Sequence, residues 1–170
     1  MSPHPLAAQC RIATPLGTMT LAATPSGLAG AWFDGQAHHP GTLSAPVDAG
    51  HPLLRAAAEQ LSAYFAGRLR RFTLPLDAAG TPFQHAVWRA LGDIPAGATT
   101  GYGDIARALG RPQAARAVGA AVGRNPLSVV VPCHRVLGRD GRLTGYAGGL
   151  DRKRALLALE AASAGVAAAA

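Results

Sequence analysis

Ser128-Val129-Val130-Val131-Pro132-Cys133-His134-Arg135-Val136 runs three valines and a proline straight into a thiol, an imidazole and a guanidinium. The valine run predicts a short buried strand. Pro132, which has no N–H to give to a ladder, ends it. The stretch therefore predicts a reactive group at the end of a strand, inside a half of the chain that is otherwise helical. Thiolate is the nucleophilic form of cysteine, and a neighbouring His or Arg favours it, so Cys133 has the surroundings an activated cysteine needs. The same residues also fit a quieter role, because free Cys is among the most buried residue types.

Upstream of this stretch, Thr81-Pro82 reads as an N-cap followed by Pro at the first helical position, and Phe83, Val87, Ala90 and Leu91 form an apolar stripe that stops at Gly92. Trp88 is expected to pack in the core or against the other half. Ile105, Ala106 and Leu109 predict a short helix, Gly110-Arg111-Pro112 a sharp turn, and Gln113 to Gly123 a second helix. Helix, glycine-containing turn and helix make a helix-turn-helix. The second helix offers only Gln113 and Arg116 as polar reach. A reader of specific bases needs several bidentate side chains, so this smooth helix suits close approach to a DNA backbone instead. Taken alone, Arg116 is an ordinary helix-surface arginine.

Downstream, Arg139-Asp140-Gly141-Arg142 predicts a hairpin turn and Leu143 to Gly149 a glycine-rich loop. Asp151 opens a last helix with Leu156, Leu157 and Leu159 on its buried side. Glu160 projects from the same inward region, where a carboxylate is costly unless paired. The tail, residues 161–170, is expected to fray.

The first half reads as a small α/β unit. Gln9 to Thr14, Gly17 to Ala23 and Leu28 to Phe33 predict an antiparallel meander, Asp34 to Gly50 a loop, and Pro52 onward a helix with Leu54, Ala57, Leu61 and Tyr64/Phe65 at helical spacing. Leu69 to Leu76 predicts a strand returning to the sheet. Asp77 to Gly80 reads as the linker, dividing the chain into 1–78 and 79–170.

At 170 residues and 49% hydrophobic content the chain can bury a real core in one domain or two small ones. No stretch has the length of apolar sequence that a membrane span needs. Met1 to Gln9 lacks the basic start and apolar run of a secretory leader, so a cytoplasmic protein is expected. Cys10 and Cys133 are too few for a disulfide framework. The six histidines, His38-His39 and His51 among them, lack zinc-ligand spacing, and no metal is expected. The formal charge is +7 and it is uneven: residues 1–78 carry five Arg against four acidic residues, and 79–170 carry eleven Arg and Lys against five. A basic second half fits phosphate contact.

Pro132-Cys133-His134-Arg135-Val136 resembles the signature of the O6-alkylguanine-DNA alkyltransferases, which move an alkyl group from damaged guanine onto their own cysteine. The likeness continues through residues 114–119, Asn125-Pro126, residues 145–149 and Arg152-Lys153-Arg154 to Glu160. It is strong over about residues 80–161 and loose before them. The resemblance implies a ribonuclease-H-like N-terminal domain of small antiparallel sheet plus helix. A mainly α, winged-helix-like C-terminal domain with the helix-turn-helix follows it. It implies Cys133 as acceptor, His134 as base reached through a water, Glu160 holding His134, Asn125 bracing the turn, and Tyr102 bonding the extruded guanine. Gln113, Ala115, Arg116 and Arg124 would meet DNA, with Arg116 filling the space of the flipped base in the minor groove. Arg135 joins the DNA-contacting set, while Val136, Tyr146, Ala147 and Gly148 shape or read the pocket. Ser128 and Ala147 stand where some relatives have Pro and Ser, and both would line that pocket. No cofactor is implied, since the protein is the acceptor and acts once. The partner is double-stranded DNA carrying alkylated guanine, or O4-alkylthymine, bound by a monomer in solution with room for cooperativity along the duplex. Two other classes fit parts of the pattern: a sensor that binds alkylated bases without removing the group, and a cysteine hydrolase built on Cys133, His134 and Glu160.

Overall fold

The computed structural model describes residues 5–169. Residues 1–4, and residue 170 of the tail expected to fray, lie outside the described residues. The chain divides into two compact units. One holds residues up to Ala79 together with Pro126–Val130, and the other holds Gly80–Asn125 and the residues from Val131 onward.

In the first unit β1 (Ala8–Ile12), β2 (Met19–Ala23) and β3 (Leu28–Phe33) form the antiparallel meander in the order β1-β2-β3. Cys10 faces Leu21 and Leu21 faces Ala31 in register, and the pairing slips by a bulge at Ala22/Ala23. Every residue of β2 and β3 is buried, and helix α1 (Pro52–Phe65) packs on the sheet with Leu54, Ala57, Leu61 and Tyr64 inward. Gly30 is required by the indole of Trp32, two residues along on the same face. A Cβ at position 30 would lie 1.8 Å from that ring.

Buried polar groups here close backbone turns. Thr24 Oγ1 accepts the N–H groups of Ser26 (3.1 Å) and Gly27 (3.2 Å) and donates to Asp77 (2.6 Å). The predicted strand over Leu69–Leu76 shrinks to one bridge, Leu28 with Leu76, in which Leu28 donates to Pro75 O and Asp77 donates to Leu28 O, each 2.8 Å. Pro75 has no N–H with which to extend the ladder.

The valine strand also fails to form. Leu127 makes one bridge to Ala31, Ser128 donates its N–H to Ala31 O (2.9 Å), and the chain then turns with Val129 at φ +74°. A β-branched residue in the left-handed region carries strain on the order of 1–3 kcal/mol. Prolines at 126 and 132 leave room for one bridge and a turn, and an apolar run by itself does not distinguish a buried turn from a strand. Ser128 is turned to Gln36, donating to its Oε1 at 3.0 Å, which corrects the expectation that its side chain lines a pocket.

The second unit begins at α2 (Pro82–Gly92), started by a complete capping box. Thr81 Oγ1 accepts from Gln84 N (3.2 Å) and Gln84 Oε1 accepts from Thr81 N (2.8 Å). Trp88 is a core residue of this unit, its indole N–H given to Ala121 O at 2.9 Å. β4 (Thr100–Gly101) leads into α3 (Tyr102–Ala108) and α4 (Ala115–Gly123). Gly110, at φ +69°, ends α3 in the left-handed conformation that only glycine adopts freely, and Arg111 N–H returns to Ala106 O (2.8 Å). The α4 helix starts two residues later than predicted, with Gln113 in the turn before it.

After a short helical turn at Cys133–Arg135, β5 (Val136–Leu137) pairs in parallel with β4. The predicted Arg139–Arg142 turn is present, closed by Gly141 N–H to Gly138 O (2.9 Å), but no hairpin ladder flanks it. α5 runs from Leu150 to Ala169, so the described part of the tail is helical where fraying is expected; alanine is the best helix former. Its inward stripe is Lys153, Leu156 and Glu160, with Leu157 and Leu159 only half-buried.

Candidate active site

The site lies wholly in the second unit and is built around the turn at Cys133–Arg135. Cys133 N–H bonds Val131 O (2.8 Å), Arg135 N–H bonds Pro132 O (3.0 Å) and Val136 N–H bonds Cys133 O, which winds three functional side chains onto one tight turn. All three are buried. Asn125, just beyond α4, donates its amide to Val131 O at 2.9 Å and to Cys133 Sγ at 3.1 Å. One side chain thus ties the backbone of the turn to the sulfur it presents.

Glu160, from two turns further along α5 than Lys153, is the hub. Its Oε1 lies 2.7 Å from His134 Nε2 and accepts from Arg135 Nη2 at 2.8 Å; its Oε2 accepts from Arg135 Nε at 3.0 Å and from Gly97 N–H at 3.4 Å. Arg135 also donates to Ile94 O. A bidentate guanidinium on a carboxylate is the strong form of ion pair, and it answers how a 2% exposed Glu160 is tolerated. It also overturns the expectation that Arg135 contacts DNA. Its side chain is internal and committed to Glu160.

Burial pushes the Cys133 thiol above its ordinary value, and the Asn125 amide and the Lys153 charge pull it back only in part. Burial likewise lowers His134 against the pull of Glu160. The resting pair at neutral pH is therefore thiol and neutral imidazole. The activated thiolate that adjacency to His and Arg suggests is absent at rest, because desolvation outweighs neighbouring charge. A neutral imidazole is the form that can accept a proton.

Tyr102 donates to Thr144 O at 3.4 Å, and its ring lies in ordinary contact distance, 3.6 Å, of where a Cβ on Gly119 would stand. Tyr146 stands edge-on to His134, with ring centroids 6.5 Å apart. A Cβ on the buried Gly148 would come 2.6 Å from the Tyr146 ring, and Arg152 holds Gly148 O at 3.0 Å. Ala147 is half-buried beside them. Gln113, Arg116 and Arg124 are exposed around α4, with Ala115 half-buried at its start. The structure thus brings Cys133, His134, Glu160 and Asn125 together and adds Arg135 to them. Tyr102 is linked to the 144–148 loop, and the residues around α4 form a separate exposed set.

Lys153 is a buried side chain of this unit that the sequence alone does not single out. It is fully buried and donates to Val136 O (2.6 Å), Thr144 O (2.8 Å) and Gly145 O (3.3 Å). It is the only lysine in a chain of many arginines, a signal that could have drawn notice. Among the described residues no group of three or more His, Cys, Asp or Glu is placed to hold a metal ion, and no helix is long and apolar enough to cross a membrane.

Residues 82–162 match the DNA-binding domain family of 6-O-methylguanine DNA methyltransferase, and residues 11–78 match its ribonuclease-like domain family. A methylated-DNA–protein-cysteine methyltransferase of Mycobacterium bovis is 50% identical over 149 residues, covering 88% of this chain and 89% of the relative. One from Methanosarcina acetivorans is 57% identical over 106 residues, 62% of this chain and 68% of the relative. Among solved structures, the Mycobacterium tuberculosis protein in complex with DNA superposes with a TM-score of 0.85 at 46% identity, covering 92% of this chain and 94% of that one. The O6-methylguanine DNA methyltransferase of Methanococcus jannaschii superposes at 0.62 with 28% identity, covering 89% and 92%.

Proposed function

This chain belongs to the methylated-DNA–protein-cysteine methyltransferase family, and from that premise we infer that it repairs DNA directly, drawing an alkyl group from O6-alkylguanine onto Cys133 in one turnover. The observation that carries the assignment to Cys133 is the buried convergence of Asn125, Cys133, His134 and Glu160 on one turn. Cys133 Sγ forms a bond to the alkyl carbon as the O6–carbon bond breaks, and the electron pair of that bond stays on guanine. The thiol proton passes to His134 through a water, with Glu160 stabilising the imidazolium, and guanine leaves protonated. The Tyr102 hydroxyl bonds the extruded base and helps neutralise it. Overall, one thiol and one O6-alkylguanine become one thioether and one guanine. In this reading the thioether is not hydrolysed, so each molecule acts once.

The DNA-facing residues in this reading are Gln113, Ala115, Arg116 and Arg124 on and around α4, with Arg116 filling the gap left by the flipped base. Main-chain atoms of Cys133, Val136 and Ala147, with Tyr146 and Gly148, form the base pocket. The protein works on duplex DNA as a monomer, in the reducing cytoplasm where Cys133 stays a thiol. The test is intact-mass and peptide mass spectrometry after mixing with duplex DNA containing O6-methylguanine. One methyl on Cys133, absent in Cys133→Ser, is expected. An unmodified protein that still binds the lesion is a sensor instead.

A further inference from the structure

The first unit holds a piece of the acceptor's own segment. Pro126–Val130 belong to it, while Asn125 before them and Val131 after them belong to the second unit. The two ends of this strap are the residues that carry the acceptor: the Asn125 amide bonds Val131 O and Cys133 Sγ, and Cys133 N–H bonds Val131 O. The strap lies along the outer edge of β3. Ala31 donates to Pro126 O at 2.8 Å and Ser128 donates to Ala31 O at 2.9 Å, one rung of a parallel ladder. In such a ladder the next rung would run from Phe33 N–H to Ser128 O and from Val130 N–H to Phe33 O. Gln36 takes that place. A turn through Gly35, at φ +71° and closed by Gln36 N–H on Phe33 O (3.2 Å), swings the Gln36 side chain back along the edge. There its Oε1 accepts Phe33 N–H at 2.8 Å and the Ser128 hydroxyl at 3.0 Å, and the residue is buried. One amide oxygen thus satisfies the β3 N–H that a longer ladder would use, and fastens the strap by a side chain rather than by its backbone.

We propose that Gln36 is a positioning residue of the alkyl transfer: it stops the β3 ladder at one rung, so that the strap turns at Val129 and sets Asn125 and Val131 where they present Cys133. The proposal rests on the reading of Cys133 as acceptor. Val129 stands at φ +74°, where a β-branched residue is strained and from which extended backbone is the relaxed state. A Phe33 N–H released from Gln36 would reward that extended state with a second rung, because a buried N–H without a partner is costly. Strain and hydrogen bonding would then both straighten the strap, and Gln36 removes the second of these pulls. Straightening residues 129–131 would turn the Val131 carbonyl, which receives both the Asn125 amide and Cys133 N–H, and shift the sulfur from where Asn125 holds it. A nucleophile is sensitive on this scale, since a misplacement of about 1 Å can cost about a hundredfold in rate. Gln36 touches no reacting atom and acts through the strap.

The test uses the full chain with Gln36→Met, an unbranched side chain without the oxygen that accepts both bonds. Single-turnover methyl transfer at saturating O6-methylguanine duplex is expected to be slower by about tenfold or more, with affinity for the same duplex, measured in a Cys133→Ser background, unchanged. Backbone NMR couplings of Val129, which separate positive from negative φ, are expected to move to the extended range, and Val130 N–H to gain protection from exchange. Val129→Gly added to Gln36→Met is expected to return much of the lost rate, since glycine takes positive φ without strain, even as the emptied Val129 site lowers the unfolding temperature. The proposal is overturned by a Gln36→Met chain that transfers at the wild-type rate, by a slower one whose Val129 keeps its positive φ, and by a glycine that lowers rate and stability together. Wild-type protein that transfers no methyl group overturns the proposed function, whereas the Val129 couplings still read whether Gln36 holds the turn.

Discussion

The two units bury polar groups in different ways. In the first, the buried polar side chains are Thr20, Thr24, Gln36 and Ser128, all neutral, and those whose bonds are described close turns or tie down backbone. In the second they are Asn125, His134, Arg135, Lys153 and Glu160, four of them ionisable, and they gather around one cysteine. Neutral hydroxyls and amides satisfy backbone groups at little desolvation cost, so the first unit gains rigidity from them. Buried charges stabilise poorly against apolar replacements of the same volume, yet the second unit keeps three, on Arg135, Lys153 and Glu160, beside the neutral imidazole of His134. The difference separates a scaffold from a working site within one short chain.

The comparison breaks most sharply at Cys133. Cys133→Ser is expected to abolish methyl transfer altogether while leaving the cooperative unfolding transition within a few degrees; residual methylated protein in the mass spectrum would move the acceptor elsewhere. Next in size, Glu160→Gln leaves Arg135 buried without its counter-charge and should cost about 3–5 kcal/mol in denaturant unfolding. A cost below about 1 kcal/mol would mean the network is peripheral to the fold of its unit. In the first unit the matching probe is steric: Gly30→Ala drives a methyl into the Trp32 ring and is expected to cost about 1–3 kcal/mol, with Trp32 fluorescence shifted.

The two units should also part company with pH. His134 has a folded value below its ordinary 6.5, so the unfolded chain takes up the proton first and stability is lost as pH falls below that value. Cys133 has a folded value above its ordinary 9.0, so stability is lost as pH rises past it, because the unfolded thiol ionises first. Amide hydrogen exchange at about pH 5 should therefore loosen the turn at Cys133–Arg135 and α5 while β2 and β3 hold their protection. The smallest effect belongs to the surface. Arg107→Ala removes an exposed pair with Asp104 on α3 and is expected to change stability by no more than about 0.5 kcal/mol.

Much of this was legible from neighbours in the chain. Strand-like runs between turn signals located β1 to β3, helical spacing located α1, Thr81-Pro82 the start of α2, and Gly110 the turn between α3 and α4, since propensity, capping and positive φ are local properties. The run Pro132 to Val136, with Asn125 and Glu160 at their distances, was enough to name the family and the acceptor to be tested. What stayed hidden depends on partners brought from afar. Arg135 reads as a DNA-facing arginine until folding sets Glu160, 25 residues on, against it. Lys153 is one of three successive basic residues in the sequence, and only the turn of α5 points it at carbonyls 8, 9 and 17 residues away. The valine run reads as a strand until Ala31 supplies just one bridge. Burial is a property of the packed chain, and burial set the resting states of Cys133 and His134 against what their adjacent charges alone imply.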